Sequence, residues 1–340
     1  MNNQELKNRF TEIYGEGAEP SLFFAPGRIN LIGEHIDYNG GNVFPCALDF
    51  GTTAVARKRD DNRIKFASLN LPLTVTVDVD HIVYDEKDDW ANYPKGVIDQ
   101  FLQRGFTLGG FEVLYDGTIP NGAGLSSSAS VELVTSVLLK DFFHCDIDQV
   151  EMVKLSQKAE NEFVGVNCGI MDQFAIGMGK KDMAIYLNCD TLEYEYAPVN
   201  LQRMKLVIGN TNKRRGLADS KYNERRKECD MAVAALQTRL DIDYLADLTP
   251  KEWEDNKHLI TDEIVRKRGE HAVYENARVK TAVAKLNEGD MEAFGKLLNE
   301  SHKSLRDLYE VTGFELDTMV EEAWKTEGVL GSRMTGAGFG

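Results

Sequence analysis

Cysteine is scarce in this 340-residue chain: five residues, at 46, 145, 168, 189 and 229, odd in number and never spaced Cys-x-x-Cys. That argues against a disulfide framework and a zinc site, and fits reduced thiols in a cytoplasmic protein. The six histidines show no metal-ligand spacing either. The N-terminus, Met1-Asn-Asn-Gln-Glu-Leu-Lys7, lacks the apolar core and cleavage site of a secretory signal. No apolar run approaches the roughly 18 residues of a membrane span. Positive charge is in deficit, 39 Lys and Arg against 55 Asp and Glu, for a net charge of −16. A chain so acidic is not expected to bind nucleic acid or an anionic membrane. It can still bind a nucleotide where helix N-termini, a few cations and Mg²⁺ reverse the local field. No internal repeat or low-complexity segment is present. With 42% apolar and 28% charged residues, the chain reads as soluble, globular and large enough for two domains.

Against that background one stretch stands out: Pro120-Asn121-Gly122-Ala123-Gly124-Leu125-Ser126-Ser127-Ser128-Ala129-Ser130-Val131-Glu132. Phe111–Tyr115 before it alternates like a strand, and Val131, Val134, Val137, Leu138 and Phe142 after it fall at helical spacing. Glycines and serines therefore sit where a helix leaves its first N–H groups unpaired. Those groups and the positive end of the helix dipole make an anion site, and a serine hydroxyl can ligate a cation beside a phosphate. A tight turn closed by a serine N-cap accounts for the same residues. No Gly-Lys-Ser/Thr follows, so this is not a Walker loop.

A second stretch, Pro26-Gly27-Arg28-Ile29-Asn30-Leu31-Ile32-Gly33-Glu34-His35-Ile36-Asp37-Tyr38-Asn39-Gly40-Gly41, packs an Arg, two carboxylates, a His, a Tyr and two Asn among glycines. A solvated turn has little use for so many directed hydrogen-bonding groups, whereas a sugar-binding loop needs a donor or acceptor for each hydroxyl.

The two stretches carry a resemblance. The first is similar to the phosphate loop of the GHMP kinases, Pro-x-x-x-Gly-Leu-(Gly/Ser)-Ser-Ser-Ala. The second resembles the signature of the galactokinases within that superfamily, and a third, glycine-rich motif begins at Gly331-Ser-Arg-Met-Thr335-Gly-Ala-Gly-Phe-Gly340. The resemblance runs from about residue 20 to 340. It implies an α/β (α+β) chain with the two-domain GHMP kinase fold. An N-terminal domain over 1–195 would hold a mixed sheet and the phosphate loop. A C-terminal domain over 196–340 would hold a smaller sheet covered by helices, with the active site in the cleft.

The rest of the sequence is compatible with that plan. A polar helix is expected before Gly15. Strands are expected at 21–25, 43–58, 63–69, 73–79, 184–187 and 204–208, and helices near 95–104, 148–164, 219–236, 262–287, 290–308 and 314–326.

The implied reaction is transfer of the γ-phosphoryl of ATP to the anomeric hydroxyl of α-D-galactose. By resemblance, Asp172 in Gly169-Ile-Met-Asp-Gln173 is the catalytic base, and Arg28 the cation that lowers its pKa and steadies the phosphoryl. Glu34, His35, Asp37, Gly169, Asp172 and Tyr222 are the implied sugar ligands. Gly122, Gly124, Leu125, Ser126, Ser127 and Ser128 would surround the phosphates of ATP, and Mg²⁺ would sit on Ser128 and Glu160. Trp90 and Tyr93 would line the adenine pocket, although aromatics at that spacing are more often core anchors. Glu160 and Asp172 likewise have plain alternatives, a solvated helix face and a helix N-cap. The expected partners are galactose and ATP, the expected state a cytoplasmic monomer. A kinase for N-acetylgalactosamine or another sugar, and a non-catalytic galactose and ATP sensor, are the competing functions. Intact Ser128-Ala129, Arg28 and Asp172 favour an enzyme. In the family, the third motif continues into a further apolar strand, so a truncated chain is expected. Its second sheet would then show an uncovered apolar edge near 204–211 or 329–335.

Overall fold

A computed structural model describes residues 1–120, 123–213 and 218–340, without the side chains of 218–220. In chain order the elements are α1 (Asn3–Tyr14), β1 (Ser21–Asn30), β2 (Asn42–Val43), β3 (Pro45–Lys58), β4 (Arg63–Ser68), β5 (Val75–Asp78), α2 (Asn92–Gln103), β6 (Phe111–Gly117), α3 (Ser127–Phe143), α4 (Gln149–Lys158), α5 (Met171–Gly177), β7 (Met183–Asn188), β8 (Tyr194–Pro198), α6 (Ala218–Leu236), α7 (Pro250–Asn256), α8 (Glu263–Glu288), α9 (Met291–Ser304) and α10 (Phe314–Lys325). No described helix is long and apolar enough to cross a membrane. The chain forms two compact units. The first comprises Met1–Gly27, Leu48–Asn121 and Ser126–Met178, the second Arg28–Ala47, Gly122–Leu125 and Gly179–Gly340.

The first unit is built on a five-stranded mixed sheet in the order β1-β3-β6-β4-β5. β6 pairs antiparallel with β3 (Val55 opposite Leu114) and parallel with β4 (Phe66 opposite Val113). Its Phe111–Tyr115 run is buried on both faces, as a central strand must be. On one face lies α1, opened by a reciprocal Asn2–Glu5 capping box. Its Leu6 and Phe10 pack on Val55, Ala67 and Leu114. Phe142 of α3 stacks edge-on against Phe111. A glycine is required at 51, where a Cβ would lie 2.0 Å from the Ala25 carbonyl oxygen of β1.

The second unit has an antiparallel three-stranded sheet, β2-β7-β8, with Val43 opposite Leu187 and Ile185 opposite Tyr196. Its helical part centres on the 26-residue α8, capped by Asp262 and closed by a left-handed Gly289. The indole of Trp253 is fully buried and rests on Gly269 of α8, where a Cβ would come within 2.5 Å.

Four expectations need correction. The helix expected over 290–308 stops at Ser304 and continues as a π-helical turn, Leu305–Tyr309. The strand expected over 43–58 is two strands in two different sheets, divided at Phe44. The helix expected over 148–164 stops at Lys158 and continues as a π-helical turn, Ala159–Val164, which carries Glu160. Residues 204–208 form no strand; they have no regular secondary structure, and Leu206 and Val207 are 42% and 84% exposed. Apolar alternation supplies a face for packing, but a strand also needs a ladder partner, and none is present among the described residues.

Candidate active site

In the second unit, Arg28 leaves β1 fully buried. Its Nη1 donates to the Gly124 carbonyl oxygen at 2.6 Å, and its amide donates to that of Leu125 at 3.2 Å. The end of the phosphate loop is thus fastened to the start of the sugar loop. Gly124 adopts φ 71, which a side chain would disfavour.

Glu34 is 1% exposed. Arg333 Nη2, Thr335 Oγ1 and the Gly336 amide all donate to its Oε1, at 2.9, 3.0 and 2.8 Å. Burial alone would raise this carboxyl, but Arg333, Arg28 and the Gly336 amide outweigh it and hold the group below the usual range. His35 has a left-handed backbone, φ 61. Burial lowers its pKa to about 4, so the ring is neutral near pH 7. Neutrality fixes a chain of donors: Nε2–H donates to the Ala337 carbonyl (3.0 Å), and Tyr38 O–H donates to Nδ1 (2.8 Å). Tyr309 O–H then donates to Tyr38, also at 2.8 Å. Both imidazole nitrogens are therefore engaged within the protein. Tyr222, half-buried on α6, faces the same aromatic group, 5.5 Å from the His35 ring and 5.4 Å from that of Tyr38. Asp37 is half-buried at the start of a short 3₁₀ turn that ends at a left-handed Gly40.

The backbone of this loop is held from below. Glu275, fully buried on α8, accepts from the Gly33 amide and from Ser301 Oγ at 3.1 and 2.6 Å. Asn276 accepts from the Asn42 amide at 2.9 Å. His271 donates to the Glu34 carbonyl at 3.1 Å and accepts from Ser304 at 2.8 Å.

In the first unit, Ser126 occupies the N-cap position of α3 but caps nothing. Its backbone is left-handed (φ 58), and its hydroxyl donates to Asp172 Oδ2. The serine N-cap offered as the plain alternative is thus not what this serine does. Asp172 is the second residue of α5, after Met171, which follows the buried Gly169-Ile170 pair. Ser127 is exposed and Ser128 half-buried. Burial and the nearby Asp172 raise Glu160 to about 7, while the neighbouring Glu132 and Ser128 work the other way. Glu132, on α3, is fully buried, and burial followed by the Glu160 charge pushes it well above the carboxylate range. Gln173 Nε2 bridges the two acids, at 3.0 Å from Glu132 and 2.7 Å from Glu160. Glu132 Oε1 and Gln173 Oε1 are buried with no hydrogen-bond partner among the described residues.

Among the described residues no three His, Cys, Asp or Glu are grouped to enclose a metal. Glu160 and Ser128 offer a carboxylate and a hydroxyl, hard-oxygen donors of the kind Mg²⁺ can share with phosphate oxygens. Trp90 also lies in this unit. Its ring stands edge-on to Tyr115 with centroids 5.8 Å apart, and its Nε1 is buried without a partner among the described residues. Tyr93 is half-buried in the first turn of α2. Gly122 lies outside the described residues.

Arg28, Glu34, His35, Asp37, Gly124, Leu125 and Tyr222 lie in the second unit, and Ser126, Ser128, Glu160, Gly169 and Asp172 in the first. Sequence reasoning missed Glu132, Gln173 and Arg333. A charged residue inside the apolar run of α3 was the available signal for Glu132. Gln173 and Arg333 stand inside the Gly169–Gln173 and Gly331–Gly340 motifs, which were the signal for them.

Family models match three parts of the chain: a galactokinase galactose-binding signature over residues 8–58, a GHMP kinase N-terminal domain over 92–180 and a GHMP kinase C-terminal domain over 282–340. The galactokinase of Fusobacterium nucleatum is 60% identical, with 99% of this chain and 88% of that protein covered. That of Bacillus subtilis is 54% identical, with 99% and 87% covered. The solved structure of the Lactococcus lactis galactokinase complexed with galactose superposes with a TM-score of 0.97 at 50% identity, over 99% of this chain and 88% of that one. The Methanococcus jannaschii mevalonate kinase shares the fold alone, with a TM-score of 0.63 at 18% identity over 96% of this chain and 90% of that one. Sharing more than half its residues with such proteins over nearly its whole length, the chain belongs to the galactokinase family of the GHMP kinases.

Proposed function

We propose that this protein is an enzyme that transfers the γ-phosphoryl group of ATP to the anomeric hydroxyl of α-D-galactose, giving galactose 1-phosphate and ADP. The galactose oxygen bonds to the γ-phosphorus, the bond from that phosphorus to the β–γ bridging oxygen breaks, and the hydroxyl proton passes to Asp172. The observation that carries the reading is the acid cluster at the start of α3, where Ser126 holds Asp172 and Ser128 lies against Glu160. Such transfers rest on positioning and charge neutralisation more than on covalent chemistry. Ser126 orients the Asp172 carboxylate. Arg28, fixed by Gly124, supplies positive charge for the transferring group. Ser128 and Glu160 would hold Mg²⁺, which when bound neutralises charge on the phosphate oxygens.

Glu34, Asp37, Gly169 and Tyr222 are read as the sugar's contacts. With both ring nitrogens of His35 engaged, a contact there falls to its backbone. Trp90 and Tyr93 are read as the adenine side of the site. The protein is read as a cytoplasmic monomer acting on small molecules. A coupled assay of ADP release tests the proposal: release should depend on galactose and be lost in Asp172→Asn. Binding of both ligands without ADP release would make the protein a sensor instead.

A further inference from the structure

The third glycine-rich stretch meets both loops of the second unit, the sugar loop through the buried Arg333 and the phosphate loop through Gly336. The Arg333 side chain is 4% exposed, and the Glu34 side chain it pairs with is 2% exposed. Besides Glu34, its Nε donates to the Leu31 carbonyl at 2.8 Å and its Nη2 to that of Asn30 at 2.5 Å, while Nη1 turns back to the Met334 carbonyl at 2.8 Å. Every guanidinium nitrogen is committed. With Thr335 and the Gly336 amide on the same oxygen, the plane of the Glu34 carboxylate is fixed. Two residues along, the Ala337 carbonyl receives His35 Nε2–H. The other side of the stretch meets the phosphate loop. A Cβ on Gly336 would lie 2.6 Å from the Gly124 carbonyl oxygen, and φ is +83, so only glycine allows this approach. Gly124 is in turn the acceptor of Arg28. A buried ion pair contributes little net stability compared with apolar packing. Its fixed geometry is the more telling property, since it ties Glu34 of one loop, through three residues, to Gly124 of the other.

Building on the galactose kinase reading, we propose that Arg333 is a positioning residue that couples the sugar loop to the phosphate loop, so that galactose and ATP each tighten the other's binding. Coupling of this kind is reciprocal and typically amounts to about 5–150-fold in affinity.

The test is calorimetry of galactose binding with and without a non-hydrolysable ATP analogue, and of the analogue with and without galactose. The proteins compared are the wild type, Arg333→Lys and Thr335→Val. The wild type should bind each ligand severalfold more tightly in the presence of the other, by the same factor. In Arg333→Lys both ligands should still bind, with the factor falling towards one, because an ammonium cannot reach Glu34, Leu31 and Asn30 together. Thr335→Val removes one donor to Glu34 and should give an intermediate factor. At saturating ATP, the galactose KM of Arg333→Lys should rise more than its kcat falls. Equal affinities with and without the partner in the wild type overturn the proposal, as does a wild-type coupling factor in Arg333→Lys. Should the lysine variant fail to melt cooperatively, Thr335→Val decides, and an unchanged factor there overturns the proposal. Failure of the sugar reading itself looks different: no galactose heat in any protein, which overturns both.

Discussion

At the scale of single residues, Asp172 and Ser126 are read as a working pair. Asp172→Asn keeps the shape and removes the basicity, so kcat should fall by about 10²–10⁴-fold with little change in Tm. Steady-state kinetics beside a thermal melt checks it; a kcat near wild type would remove Asp172 from the chemistry. Ser126→Ala takes away one charge-assisted hydrogen bond, worth about tenfold in rate when it serves only to orient. Residue identities at these positions were legible in the sequence because the motifs are long and ordered. Their pairings were not. Ser126 looked like a helix cap, and only the left-handed turn at φ 58 sends its hydroxyl to Asp172. Glu132 and Arg333 drew no attention, since a lone charge in a sequence does not disclose whether the fold will bury it against a partner.

At the scale of elements, regular structure was legible where periodicity and capping agreed. The helices α1 and α8 and the paired strands β4 and β6 follow their patterns. It was not legible where the outcome depends on a distant partner. The break between β2 and β3 is made by two sheets competing for one run of residues, and 204–208 has strand-like alternation but no ladder to join. The π turn at Ala159–Val164 is invisible to a helical pattern, yet it carries the Glu160 carboxylate. The aromatic pair at the start of α2 gives a prediction at this scale. Trp90→Ala should weaken ATP by about 1–3 kcal/mol, on the scale of base–aromatic stacking, and leave galactose binding unchanged. An unchanged ATP Kd with a lowered Tm would make Trp90 a core anchor resting on Tyr115. Gly51→Ala should destabilise the first unit by about 1–3 kcal/mol in denaturant melts, because the added methyl meets the β1 backbone.

At the scale of the whole molecule, buried titrating groups oppose each other across the pH range. Burial holds His35 near 4 and His271 well below its ordinary value, so between about pH 6.5 and 4 the unfolded chain binds more protons and stability is lost as pH falls. Glu160, raised to about 7, does the reverse: its stabilising contribution is complete below the ordinary carboxylate range and is lost as pH rises through 7. Ligand-free protein should therefore be most stable in mildly acidic buffer. Denaturant melts from pH 4 to 8 should show two limbs, each on the order of a few kcal/mol, at about 1.4 kcal/mol per pKa unit. Glu160→Gln should reduce the loss of stability with rising pH, leaving the part that the raised Glu132 contributes, and a profile unchanged by the substitution would contradict the assignment. Sugar choice also belongs to this scale. Galactose and glucose differ only at C4, and a site built to hydrogen-bond one hydroxyl rejects its misplaced counterpart strongly. The most direct test of the central claim is ADP release by the purified protein with ATP and Mg²⁺, offered galactose, glucose or no sugar. Release should be rapid with galactose, far slower with glucose, and at background from Asp172→Asn with any sugar. Equal kcat/KM for the two sugars, or no galactose-dependent ADP from a protein that binds both ligands, would contradict it.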